Sequence, residues 1–186
     1  LQIWIRNNNK KVIFLRTEPA IPPDIPIDKK FKILERYVQP RKNLYVNLQK
    51  TLEEIILDFH PTTRSNIKKA EKAGVHTEYR EQITKEEMDS FYFMTEDTMN
   101  RNGGKNAYPT REYFETMLQT FEKFNDKNKL SIGYFFVYID GSLASIIMVL
   151  FFGDTATYIY GASESKYLKF KTSAYIHYSA IQKVKE

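Results

Sequence analysis

The period of the apolar positions changes several times along the chain, and each change marks an element. Leu44, Val46 and Leu48 alternate with polar neighbours, the pattern of a strand over residues 43–48. Thr51-Leu-Glu-Glu54 is a capping box, in which a threonine and a glutamate three residues on satisfy each other's backbone donors. It opens a short helix with Leu52, Ile55, Ile56 and Phe59 on one side. Thr62 or Thr63 is expected to cap a second helix that runs to Gly74, and residues 75–79 read as a strand. Thr84-Lys-Glu-Glu87 is a second capping box, and its helix carries Met88, Phe91, Tyr92, Thr95 and Met99 at helical spacing. After a loop over residues 102–106, a helix from about Thr110 turns Phe114, Met117, Leu118, Phe121 and Phe124 inward. Three strands follow, over residues 132–139, 143–152 and 156–161, joined by Asp140-Gly141 and Gly153-Asp154, both suited to tight hairpin turns. A last helix is expected to start near Phe170 and to pack Ala174, His177, Ile181 and Val184.

The order is strand, two helices, strand, two helices, three antiparallel strands, helix. That is an α/β architecture, a mixed sheet flanked by helices. Upstream, short apolar runs at residues 3–5 and 12–15 surround Asn7-Asn8-Asn9-Lys10 and predict a hairpin. The stretch Pro19-Ala-Ile-Pro-Pro-Asp-Ile-Pro26 holds four prolines in eight residues and reads as a linker or an extended strap. The chain starts without Met and ends inside a helical pattern, so a piece of a longer protein is expected.

Composition narrows the chemistry. With 42% hydrophobic residues over 186 positions the chain can bury a real core. It has no cysteine, which removes disulfides, thiolate metal sites and a cysteine nucleophile. The longest apolar run, residues 146–152, is far short of the roughly 20 residues of a membrane span. The 28 basic and 23 acidic residues leave a net charge of +5, which suits an anionic partner without demanding one.

Few residues carry a chemical signature. His60, His76 and His177 have no metal-ligand spacing, and there is no P-loop or nucleophile elbow. His177 reads as a packed core histidine. Arg64, Lys68 and Lys72 stand at i, i+4 and i+8 and form one stripe; such a stripe either holds phosphates or is a solvated face. By period two, Tyr158 and Tyr160 are expected on the same face of their strand, near Gly161. Tyr113 flanks the apolar stripe of its helix, with Arg111 nearby, and fits either a ligand contact or the edge of the core.

Four blocks resemble one family, in order, over residues 39–186. Gln39-Pro-Arg-Lys-Asn-Leu-Tyr-Val-Asn-Leu48 resembles the Q-P-R strand of the FemABX peptidyltransferases. His60-Pro-Thr-Thr-Arg-Ser-Asn-Ile-Lys-Lys-Ala-Glu-Lys-Ala-Gly-Val75 is similar to their K-T-R-x-N-I-R-x-A-x-K-x-G-V helix and is the most specific block. Residues 108–117 resemble their P-x-x-Y-F helix start, and Tyr158-Ile-Tyr-Gly-Ala-Ser163 their Y-x-Y-[AG]-[GA]-S strand end. The resemblance implies two GNAT-like lobes, with residues 1–26 the end of one plus a linker and residues 27–186 most of the other, incomplete at its C-terminus. It implies an aminoacyl-tRNA donor, a peptidoglycan precursor as acceptor (UDP-MurNAc-pentapeptide or lipid II), and no cofactor, metal or DNA. The location it implies is cytoplasmic, with peripheral membrane contact through lipid II.

Carried over by position, Tyr113 and Tyr160 match tyrosines that contact the acceptor. Where some members place an arginine one turn before the first tyrosine, Pro109 stands here, and Arg111 is the available substitute. Acetyl-CoA-dependent GNAT enzymes carry a glycine-rich loop after the corresponding strand, which cradles a pyrophosphate at a helix N-terminus. This chain has no glycine after Gly161, and side chains there block close backbone approach. An acyl-CoA-dependent N-acyltransferase and a non-catalytic binding lobe are the alternatives.

Overall fold

The computed structural model of the protein describes Asn7 and residues 25–32, 43–103, 108–124 and 130–186. The chain divides into two compact units, residues 1–46 and 47–186. The expected N-terminal hairpin and most of the proline-rich stretch lie outside the described residues, as does the loop at residues 104–107.

Residues 43–48 form no strand, contrary to their alternating pattern, and Leu44 is 91% exposed. The reason is local. The Asn47 side-chain oxygen accepts the Gln49 N–H at 2.9 Å, which folds residues 47–50 into a turn. Asparagine favours such turns over strand pairing because its own side chain supplies the bond.

The Thr51 capping box forms as expected and opens helix α1, Leu52–Asp58, with Ile55 buried. Helix α2 spans Pro61–Lys72 and is capped by His60, whose Nδ1 accepts the Thr62 N–H at 3.3 Å, and not by Thr62 or Thr63. Proline sets the start. Its fixed φ and missing N–H favour the first helical position, so the residue before it becomes the cap. Ile67 and Ala70 turn inward, and Gly74, at φ +75°, lets the chain leave the helix in a left-handed conformation that a side chain would strain.

Strand β1, His76–Arg80, leads to helix α3, Lys85–Arg101, opened by the Thr84 capping box. Helix α4 spans Arg111–Phe124. Strands β2 (Leu130–Ile139), β3 (Ser142–Phe152) and β4 (Thr155–Ser163) follow. Asp140 and Gly141 both have positive φ, as the two-residue turn between β2 and β3 requires. A 3-10 turn, Ser165–Phe170, precedes the last helix, α5, Thr172–Lys185.

The α/β class holds, and the four described strands pair antiparallel in the order β1-β2-β3-β4. One sheet face packs Phe135, Val137, Ile147 and Val149 against α2 and α5; the other packs Tyr134, Phe136, Ile146 and Met148 against α3 and α4. With helices on both faces, the central strands read as nearly continuous apolar runs. No described helix is long and apolar enough to cross a membrane.

Two expectations about phase are corrected. Tyr160 pairs with Met148 and Tyr158 with Val149, so Ile159 is an extra residue, a β-bulge. The bulge breaks the period of two and turns the tyrosines to opposite faces. Tyr160 joins the α3–α4 side and Tyr158 meets α5. In α5 the buried positions are Thr172, Ile176 and Ala180, and His177 is exposed rather than packed in the core. The 3-10 turn ends on Lys171 in a left-handed conformation (φ +62°), so the helix starts at Thr172 and presents a different face.

Candidate functional site

Helix α4 and strand β4 bring two tyrosines together. Tyr160 donates its hydroxyl hydrogen to the Tyr113 oxygen at 3.4 Å. Both rings meet Phe114 edge-on, Tyr160 at 4.8 Å and Tyr113 at 5.7 Å between centroids. Phe114 is fully buried and lies against Phe91 of α3, so the pair rests on a packed support. Just before α4, Tyr108 donates to the Gly161 carbonyl at 2.7 Å and ties the start of that helix to β4. Burial first, and the Tyr113 hydroxyl beside it, hold the Tyr160 phenol far above its usual pKa. Tyr160 therefore stays neutral and donates. Tyr113 accepts that bond while 48% exposed, which leaves its own hydrogen available to a ligand. The two hydroxyls together form a hydrogen-bonding platform.

The other face of β4 borders a small cleft, of about 140 Å³, between that strand and α5. Arg101, Tyr158, Ser163, Ser173 and His177 supply its polar wall, with Ile147 and Ile176 beneath. Tyr158 lies across Gly161, where an added Cβ would come within 2.9 Å of the tyrosine ring and 2.7 Å of Ile147. Glycine is needed here for close approach. His177 meets the Tyr158 ring edge-on at 4.8 Å. Solvent reaches its edge, yet the protein around it disfavours the charged form and lowers its pKa from the usual 6.5. The 3-10 turn beside the cleft is clamped by Asp97, whose carboxylate accepts the Ser165 N–H at 2.6 Å and its hydroxyl at 2.9 Å. These backbone and side-chain bonds from Ser165, with Arg101 nearby, lower the Asp97 pKa.

Arg111 is engaged apart from the tyrosines. Its guanidinium pairs with Asp89 and, at 3.0 Å, with Glu115, and lies over the Tyr92 ring. Arg64 is likewise spoken for, because Nη1 donates to the carbonyls of Leu57 (2.8 Å) and Phe59 (2.7 Å) at the end of α1. Lys68 and Lys72 remain exposed on α2, joined by Lys69. The sequence reading missed Arg101, Ser163 and Ser173. Ser163 closes the Y-x-Y-G-A-S block and was within reach; Arg101 and Ser173 carry no local signal and meet only through the fold.

The family model described as "FemAB family" matches residues 32–135, more than half of the 186-residue chain. The chain belongs to the FemAB family. The match takes in α2 and Tyr113 and ends inside β2, before Tyr160. Among solved structures, this FemAB-family chain is similar to one titled "Crystal structure of FemX", with a TM-score of 0.61 at 16% identity, over 74% of this chain and 48% of that one. That likeness is one of fold, and the chain spans about half the length of FemX. No curated protein matches the chain.

Proposed function

We propose that this FemAB-family chain is part of an aminoacyltransferase that moves an amino acid from aminoacyl-tRNA to an amine of a peptidoglycan precursor, UDP-MurNAc-pentapeptide or lipid II, on the cytoplasmic side of the membrane. The observation that carries the reading is the Tyr113–Tyr160 hydroxyl pair on its buried Phe114 support. The acceptor amine attacks the ester carbonyl, a C–N bond forms, the C–O bond to the ribose breaks, and the amine's surplus proton leaves with the ribose oxygen or to solvent. The ester is already activated, so the protein's work is to orient the amine and to stabilise the developing oxyanion. Neutral phenols that donate hydrogen bonds suit the first task.

The connection after β4 favours this donor over acyl-CoA. A 3-10 turn ending in Lys169 and Phe170, followed by Lys171, stands where a pyrophosphate cradle needs bare backbone.

The test is transfer by the full-length protein from charged tRNA to lipid II or its soluble precursor. Tyr113→Phe and Tyr160→Phe keep the rings and remove one hydroxyl each. Each is expected to lower kcat/KM by about 10- to 100-fold, which is about 1.4–2.8 kcal/mol. Variants as active as the parent would remove the tyrosines from the site. Transfer from acetyl-CoA, with none from charged tRNA, would overturn the reading.

A further inference from the structure

Helix α2 carries Arg64, Lys68, Lys69 and Lys72 against a single carboxylate, Glu71. Three features separate the lysines from an ordinary solvated face. Arg64 is fixed by the Leu57 and Phe59 carbonyls, so the base of the stripe is anchored. Among the described residues none of the three lysines forms an ion pair. Lys68, Lys69 and Lys72 also line, with Pro61, Arg64 and Ser65, an open hollow of about 450 Å³. Cations in a last helical turn complement the helix dipole, which accounts for Lys69 and Lys72 but gives no reason for Lys68 or for the hollow.

The geometry points to this face of α2 as a seat for the phosphate backbone of RNA, read without regard to base sequence. Lys68 and Lys72 stand about 6 Å apart along the helix axis, a span of about two phosphates at about 3.4 Å of rise per strand. Lysine supplies a mobile point charge rather than a geometric fork, which suits a backbone whose phosphates vary in position. Among the described residues the hollow is lined by no aromatic side chain on which a base could stack, so contact stays with the backbone. A membrane surface fits less well. An interfacial helix sinks large apolar groups beside its cations, and among the described residues this hollow offers Pro61 and Ser65 between them.

The inference rests on the tRNA-donor reading, and the experiment separates the two. The full-length protein is titrated with labelled, unacylated tRNA by fluorescence anisotropy between about 50 and 200 mM salt. The combined variant Lys68→Gln, Lys69→Gln, Lys72→Gln should raise Kd at least about tenfold at the low-salt end. It should also flatten the slope of log Kd against log salt by about two to three, near 0.7–0.9 per lost phosphate contact. The matching arginine variants should retain binding. Ser65→Glu, which keeps every lysine and places a negative charge in the hollow, should weaken binding in the same direction, so a loss caused by misfolding is recognised. Equal binding by parent and glutamine variant, with the same slope, overturns the seat but leaves the donor reading standing. A parent that binds no tRNA at all overturns both. Unchanged tRNA binding with lost sedimentation on vesicles containing anionic phosphatidylglycerol assigns the face to a membrane and also overturns the proposal.

Discussion

His177 and Tyr158 show what one contact can decide. A histidine at a position that helical periodicity turns inward reads as core, and the structure instead places it on a cleft wall against a tyrosine edge. Its pKa is lowered in the folded protein, so the unfolded chain takes up the proton more readily. The sign follows: stability is unaffected by His177 above about pH 6.5 and falls as pH drops through and below that value. Melting temperatures between pH 5 and pH 7.5 should rise with pH, and His177→Asn should reduce that rise. A variant with the parent's pH dependence would mean that the imidazole is free to charge in the fold. Tyr113 and Tyr160 were legible as residues because they sit in short recognisable blocks. That they share a hydrogen bond was not legible, since it depends on α4 lying against β4. Likewise, spacing alone made Arg64 one of three equal cations, because its partners are backbone carbonyls that no sequence pattern announces.

At the scale of elements, the two capping boxes and the tight turn at Asp140-Gly141 were read correctly because they are local chemistry, closed within four residues. Errors came where a neighbouring element resets the count. The bulge at Ile159 turned Tyr158 away from Tyr160, and the 3-10 turn shifted the inward face of α5. The corner between α1 and α2 depends on Arg64, which satisfies two carbonyls that α1 leaves open at its end. Arg64→Ala should cost about 1–3 kcal/mol, the penalty for stranding such groups. Lys68→Ala, at an exposed position, should stay within about 0.5 kcal/mol. Chemical denaturation of the two variants separates an anchor from a free cation: equal losses would show that Arg64 does no more for the corner than an exposed lysine.

The layered architecture of residues 47–186 was the most legible property of the chain, because periodicity, turn residues and strand burial agreed over most of its length. What the sequence could not show was which side of the sheet each site would occupy. Strand β4 ends up as a partition, with the tyrosine pair on one side and the cleft lined by Arg101 and His177 on the other. If the cleft were a coenzyme A site, millimolar coenzyme A would raise the melting temperature by mass action. The expected result for the intact protein is no shift. A rise of several degrees would favour the acyl-CoA alternative.

The strand order also bears on how the chain comes together. β2, β3 and β4 follow one another directly, each joined to the next by two residues, Asp140-Gly141 and Gly153-Asp154. Each pairing closes a very short loop, at little entropic cost. β1 reaches β2 only across the whole of α3 and α4. Contacts so distant in the chain form slowly, because the loop must close before they repay it. The three-strand meander is therefore expected to form before β1 docks. On that expectation the strand bearing both Tyr158 and Tyr160 is in place early, and the tyrosine platform is complete only once α4 packs against it.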